Sequence, residues 1–164
     1  MLAKFKVALL LTAAAVSLFA LAAVSAGPAG GTATTGVNHE VTFISDVEQH
    51  TSFEVHDYGA DTADRGNIEY HNFSIGLDYN ADVVCVRVFS LNQANFAYQI
   101  PPGHAPYSGL WVVFGVKDSG EPGTNGDELG FTTAPNQASA CSIVNTSSVP
   151  PNQTITGGNI QVHS

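Results

Sequence analysis

The stretch "DSGEPGTNGD", residues 118 to 127, gathers oxygen donors directly after the apolar run "LWVVFGV". Asp118, Glu121, Asn125 and Asp127, with Glu128 and the turn carbonyls beside them, are hard ligands of the type that Ca2+ takes in sets of about six to eight. Their spacing is not that of an EF-hand loop, so a calcium site here rests on donor chemistry alone. A solvated chain reversal is the competing reading. Pro122-Gly123 and Asn125-Gly126 are turn signals whatever the acids do.

A second donor set repeats along the chain. Glu54-Val55-His56 and Glu69-Tyr70-His71 are two Glu-x-His units on consecutive expected strands. Residues i and i+2 of a strand share a face, so pairing in register would bring two imidazoles and two carboxylates together as a transition-metal site. Such a site would support a small metal-dependent enzyme. The alternative is that these residues simply form the solvent side of a half-buried sheet, alternating with Phe53, Val55, Ile68 and Tyr70.

Other chemistry is sparse. The chain has no G-x-S-x-G elbow, no H-E-x-x-H, no P-loop and no S-x-x-K, and no catalytic residue is identified. Cys85 lies in the apolar run "VVCVRV", a poor setting for an activated thiolate. Phe96, Tyr98, Tyr107 and Trp111 offer an aromatic face for a sugar or small ligand, although such residues in strands are ordinarily core. Tyr107, beside the loop "PPGHAPYSG", is the best placed of them for exposure.

The elements that must carry these residues have period two. "HEVTFISDV" (39–47), "TSFEVHDY" (51–58), "NIEYHNFS" (67–74), "DVVCVRVF" (82–89), "ANFAYQI" (94–100) and "GLWVVFGVK" (109–117) read as strands, followed by the weaker candidates "ELGFTT" (128–133), "ACSIV" (140–144) and "NIQVH" (159–163). Turn-forming clusters such as "DYGADTADRGN", "LDYNAD" and "SSVPPNQTITGG" separate them. The pattern predicts an all-β fold, an antiparallel β-sandwich or small β-barrel of about eight or nine strands. The strands at 82–89 and 109–117 are apolar on both faces and belong in its centre.

Residues 1–26 have the basic start, apolar run and small-residue end of a secretory signal peptide. The Gly-, Ala- and Thr-rich residues 27–36 read as a flexible leader, and 37–164 as a single domain. Cys85 and Cys141 then enter an oxidising compartment as an even pair, which favours a disulfide. Once Lys4 and Lys6 leave with the signal, three basic residues face fourteen acidic ones, a net charge of −11. That disfavours nucleic acid and anionic membrane surfaces as partners, and no segment beyond the signal is suited to membrane insertion. Sequons stand at Asn72, Asn145 and Asn152, and Asn72, within an expected strand, is the poorest acceptor.

The segments "GNIEYHNF", "ADVVCVRV", "SGLWVVFGVKDSGEPGTNGDELGF" and "ITGGNIQVH" resemble a group of uncharacterised secreted bacterial proteins in which a D-x-G-x-P-G-T-N-G-D loop follows an apolar strand. More loosely, the chain is similar to extracellular modules of the post-COAP type, which usually carry D-x-F directly after the loop where Asp127 here precedes Glu128, Leu129, Gly130 and Phe131. The resemblance implies export from a bacterium, an all-β fold and no enzymatic role to carry over. The expectation is a secreted, disulfide-stabilised, non-catalytic β module that binds an extracellular ligand or serves a structural role. A Ca2+-stabilised module and a metal-dependent enzyme are the alternatives.

Overall fold

The computed structural model describes residues 31–35, 40–43, 47–59, 64–90, 92–120, 126–146, 149–150, 153–155 and 158–163; the expected signal peptide lies outside them. The strands are β1 (Gly31–Thr35), β2 (Glu40–Phe43), β3 (Val47–Asp57), β4 (Arg65–Asn72), β5 (Leu77–Ser90), β6 (Gln93–Gln99), β7 (Trp111–Lys117), β8 (Glu128–Ala134), β9 (Gln153–Thr154) and β10 (Ile160–His163), with one helix, α1 (Gln137–Thr146), between β8 and β9. All pair antiparallel in one sheet of order β10-β1-β3-β4-β5-β6-β7-β8-β9, and β2 extends the β3 edge beyond β1. The sheet curls into a half-barrel, so a single curved sheet replaces the sandwich alternative.

The alternation read from the sequence sets the inner face. Phe53, Val55, Ile68, Phe96, Phe114, Val116, Leu129, Ile155, Ile160 and Val162 are all buried in one core cluster. β5, β6 and β7 are buried on their outer face too, because α1 lies against it. Ala97, Val113, Ala140, Val144 and Val149 form a second, smaller cluster there with Cys85. Gly115 makes room for that layer: a Cβ on it would collide with the Val149 carbonyl.

A β-bulge decides which face Cys85 takes. Val83 is opposite Tyr98 and Cys85 opposite Ala97, so Val84 is an extra residue on β5. Leu77, Tyr79, Ala81 and Val83 before it and Val86 and Val88 after it all belong to the inner core. Cys85 is thereby turned outward toward α1, where it is disulfide-bonded to Cys141 at a Cα separation of 5.7 Å.

Three expectations need correction. Residues 140–144 are not a strand but part of α1, which Asn136 starts by accepting the Ser139 N–H on its side chain (2.9 Å) and the Ala140 N–H on its carbonyl (3.0 Å). Ala140 and Val144, one turn apart, are its buried stripe. The segment 31–35 within the expected flexible leader is β1, paired on both sides, with Ala33 fully buried between β3 and β10. "LDYNAD" is not a turn but the first half of β5: Leu77, Tyr79 and Ala81 face inward, and the turn-forming Asp78, Asn80 and Asp82 stand on the solvent side.

Closing the loop between Cys85 and Cys141, 56 residues apart, stabilises the fold by about 4 kcal/mol in the chain-entropy treatment. Replacing both cysteines with alanine is expected to lower the unfolding free energy by about 2–4 kcal/mol in urea titrations, with the slope rising only if the unfolded state expands.

Candidate functional site

The acidic loop is built to bind backbone. Asp118 Oδ1 accepts the Gly120 N–H (2.7 Å) and Oδ2 the Val162 N–H (3.1 Å), while Asp127 Oδ1 accepts the Ser119 N–H (2.8 Å) and Oδ2 the Ile160 N–H (2.8 Å). Both oxygens of both carboxylates are thus engaged by positive N–H dipoles, and Asp127 is 0% exposed. Such N–H partners stabilise the two carboxylates in their ionised form. Glu121 and Asn125, the other proposed calcium donors, lie outside the described residues.

The same device occurs a second time, in the β3–β4 connection. Asp57 Oδ1 accepts the Gly59 N–H (2.7 Å) and Oδ2 the Val88 N–H (3.0 Å), while Asp64 Oδ1 accepts the Tyr58 N–H (3.0 Å) and Oδ2 the Val86 N–H (2.9 Å). Each clasp is an Asp-x-Gly turn closed by a second Asp and reaching two alternate N–H groups of another strand. Gly59 (φ 79°) and Gly120 (φ 98°) occupy the left-handed region that the turns require.

The Glu-x-His units share the solvent face of β3 and β4 but do not converge. Glu54 and His56 stand opposite Asn67 and Arg65, whereas Glu69 and His71 stand opposite Ser52 and His50. In this register His56 and His71 are six residues apart along β3, about 20 Å at 3.3 Å per residue, far beyond the reach of one ion. Each His instead contacts its own strand's Glu: His56 Nε2 is 3.1 Å from Glu54 Oε1, and His71 Nε2 is 3.1 Å from Glu69 Oε1. His71 Nδ1 also lies 3.0 Å from Asp78 Oδ1 on β5. Among the described residues no group of three or more His, Cys, Asp or Glu is placed to hold a metal ion.

The site that the geometry does form is a pocket. Antiparallel order puts both clasps at one end of the half-barrel, and the β4–β5 and β6–β7 connections at the other. At this second end the inner face opens into a cavity of about 320 Å3, within the range typical of small-molecule sites. Buried Leu77, Tyr79, Tyr98, Ile100, Val112 and Phe114 form much of its wall, with Tyr70 and Asn72 from β4 and Gln49 from β3. Its lining also includes three exposed apolar side chains, Ile75 (50%), Leu110 (41%) and Phe131 (51%). Tyr107 completes the aromatic set on a loop held by hydrogen bonds from Ile100 N–H to Leu110 O and from Gly109 N–H to Ile100 O, each 2.9 Å.

The rings form a connected wall. Centroid separations are 5.3 Å for Tyr70–Tyr79, 6.2 Å for Tyr79–Tyr98, 5.9 Å for Tyr98–Phe114 and 6.0 Å for Phe114–Phe131. Their polar ends are tied to one another. Tyr79 and Tyr98 hydroxyls lie 3.1 Å apart, and the Tyr70 hydroxyl donates to Gln49 Oε1 (2.6 Å) while accepting from Asn72 Nδ2 (3.3 Å). Burial pushes the Tyr70, Tyr79 and Tyr98 phenols above their ordinary value, and for Tyr98 the neighbouring Tyr79 adds to the effect. Among the described residues no Asp, Glu, Lys, Arg or His is in the lining.

Of the aromatic residues singled out from the sequence, Tyr98 and Tyr107 line the pocket, Phe96 is core, and Trp111 packs outside with Cys141 and Ile143. Tyr70, Tyr79, Phe131 and Gln153 were missed as site residues. Tyr79 was hidden in the supposed turn "LDYNAD", although its two-residue spacing from Leu77 and Ala81 was the available signal. Asn72 is buried, and its Oδ1 accepts from Ser74 N–H (3.2 Å) and Ser74 Oγ (2.7 Å), which makes this sequon part of the β4–β5 turn.

Comparison with protein-family models, with curated proteins and with solved structures finds no match for this chain.

Two outcomes follow from the geometry. Asp127→Asn turns an amide N–H2 toward a backbone donor and is expected to cost about 1.5–3 kcal/mol, lowering the melting midpoint by at least about 5 °C, with midpoints in EDTA and in millimolar Ca2+ coinciding. The raised phenol values make the melting midpoint insensitive to these tyrosines below pH about 10 and lower it above. There the unfolded phenols ionise while the folded ones stay neutral. Absorbance at 295 nm followed beside the melting curve checks that Tyr70, Tyr79 and Tyr98 ionise together with unfolding.

Proposed function

We propose that this chain is an exported, disulfide-stabilised β module that binds a small apolar molecule in the open end of its half-barrel. The observation that carries the reading is the cavity of about 320 Å3 walled by aromatic and aliphatic side chains, with no charged group among the described lining residues. Three of the five large apolar side chains that stand exposed among the described residues line it, and such clustering marks binding surfaces. Export is supported by the signal-like residues 1–26 and by a disulfide that persists in oxidising compartments. Among the described residues no helix is long and apolar enough to cross a membrane.

The barrel mouth suits binding because its polar groups are few and mostly satisfied by one another, so an apolar guest displaces water without stripping partners from the wall. The clasp end, filled by side chains, closes the cavity below.

The uncharged fluorophore N-phenyl-1-naphthylamine tests this directly. It is expected to bind the purified protein at one site with a dissociation constant below about 100 µM. Thr133→Trp, at an exposed lining position, is expected to weaken it at least tenfold while leaving the melting midpoint within about 3 °C. Non-saturable binding, or equal binding to the variant, would overturn the pocket.

A further inference from the structure

The chemistry of the guest is written in what the pocket leaves unspent, and this step rests on the binding reading above. Gln153 on β9 lines the cavity, and its amide Oε1 is buried without a hydrogen-bond partner among the described residues. A buried acceptor in that state is costly and rare, and it is relieved when a donor arrives. Its last side-chain torsion is soft, so the amide can reorient toward a donor held in the cavity. Thr51 Oγ1 is also buried without a hydrogen-bond partner among the described residues, but Thr51 does not line the pocket.

A second group is half spent. The Tyr79 and Tyr98 hydroxyls meet at 3.1 Å, so two O–H donors share a single hydrogen bond and one hydrogen remains. A phenol is neutral at physiological pH in any case, and burial raises both further, so that hydrogen stays in place. The Tyr70 hydroxyl, by contrast, already donates to Gln49 and accepts from Asn72.

Charge and shape narrow the class further. Among the described residues the lining holds no basic group to neutralise an anion and no acid to hold a cation, so against this wall an ionised guest would lose its hydration uncompensated. The connected wall of rings favours a flat face, which stacks or meets ring edges at small entropic cost.

We infer that the pocket takes a flat, uncharged molecule carrying a hydrogen-bond donor for Gln153 Oε1 and an acceptor for the Tyr79–Tyr98 pair. Hydroxylated aromatic compounds and planar amides or lactams are of this class.

Four compounds of one ring system separate the terms: 2-naphthol has donor and acceptor, 2-methoxynaphthalene an acceptor only, naphthalene neither, and 2-naphthoate a charge. Affinities are read by displacement of N-phenyl-1-naphthylamine. The expected order puts 2-naphthol first, with each of the others roughly tenfold weaker or more. In Gln153→Leu, 2-naphthol is expected to fall to within about twofold of 2-methoxynaphthalene while naphthalene keeps its affinity. Equal binding of 2-naphthol and naphthalene to the native chain, both weakened by Thr133→Trp, would overturn the polar recognition and leave the apolar pocket standing. Tightest binding of 2-naphthoate would overturn the requirement for a neutral guest. Failure of all four to displace a fluorophore whose binding Thr133→Trp weakens would overturn this guest class and leave the apolar pocket standing. The native-chain series decides the matter even if Gln153→Leu does not fold.

Discussion

Four backbone N–H groups, those of Val86 and Val88 on β5 and of Ile160 and Val162 on β10, face strand edges with no neighbouring strand, and each meets an aspartate oxygen instead. β4 pairs with β5 only as far as Val83, so the upper half of β5 would present bare donors without Asp57 and Asp64. β10 is the margin of the sheet, paired to β1 on one side alone, and Asp118 and Asp127 cover the other. Exposed edges invite pairing with other chains, and unmet N–H groups are expensive when buried. The clasps meet both demands with side chains, and they let a curled sheet end without a closing strand.

Closing one end in this way shapes the rest. The clasp end packs Phe53, Val55, Val88, Val116, Leu129 and Ile160 into a continuous core. On the outer face, the bulge at Val84 reverses the side-chain parity of β5, so that Cys85 leaves that core and joins α1. Ala97 and Val113, on the same face as Cys85, are small or compact enough to let the helix approach, and the absent Cβ of Gly115 admits the segment at Val149. The central strands are therefore buried on both sides.

The opposite end lacks such filling. Tyrosines stand among the aliphatic residues there, and each ring brings a hydroxyl that needs a partner in a dry setting. Two of the three buried hydroxyls find one another and the third finds Gln49 and Asn72, which holds the wall open as a lined cavity. A half-barrel with one clasped end and one aromatic mouth is the shape on which the binding proposal rests. Among the described residues no group of three or more His, Cys, Asp or Glu is placed to hold a metal ion.

Much of this was legible in the chain. Period-two alternation, doubly apolar runs at 82–89 and 109–117, and the even cysteine pair determined an all-β fold, its central strands and its disulfide, because burial of alternate side chains is a local property of a strand. The Asp-x-Gly repeat at 57–59 and 118–120, each followed by a further Asp, was also visible, but its composition is the same for a solvated turn, a cation loop and a backbone clasp. Only the fold brings residues 31 to 44 positions away against those carboxylates and decides among the three. Tertiary structure likewise drew residues 31–35 in as a paired strand, made 137–146 a helix against an apolar face, and set the two Glu-x-His units out of register. The pocket is of the same kind. Its residues come from seven strands and two connections, and their convergence follows from the curl of the sheet, which no single stretch of sequence encodes.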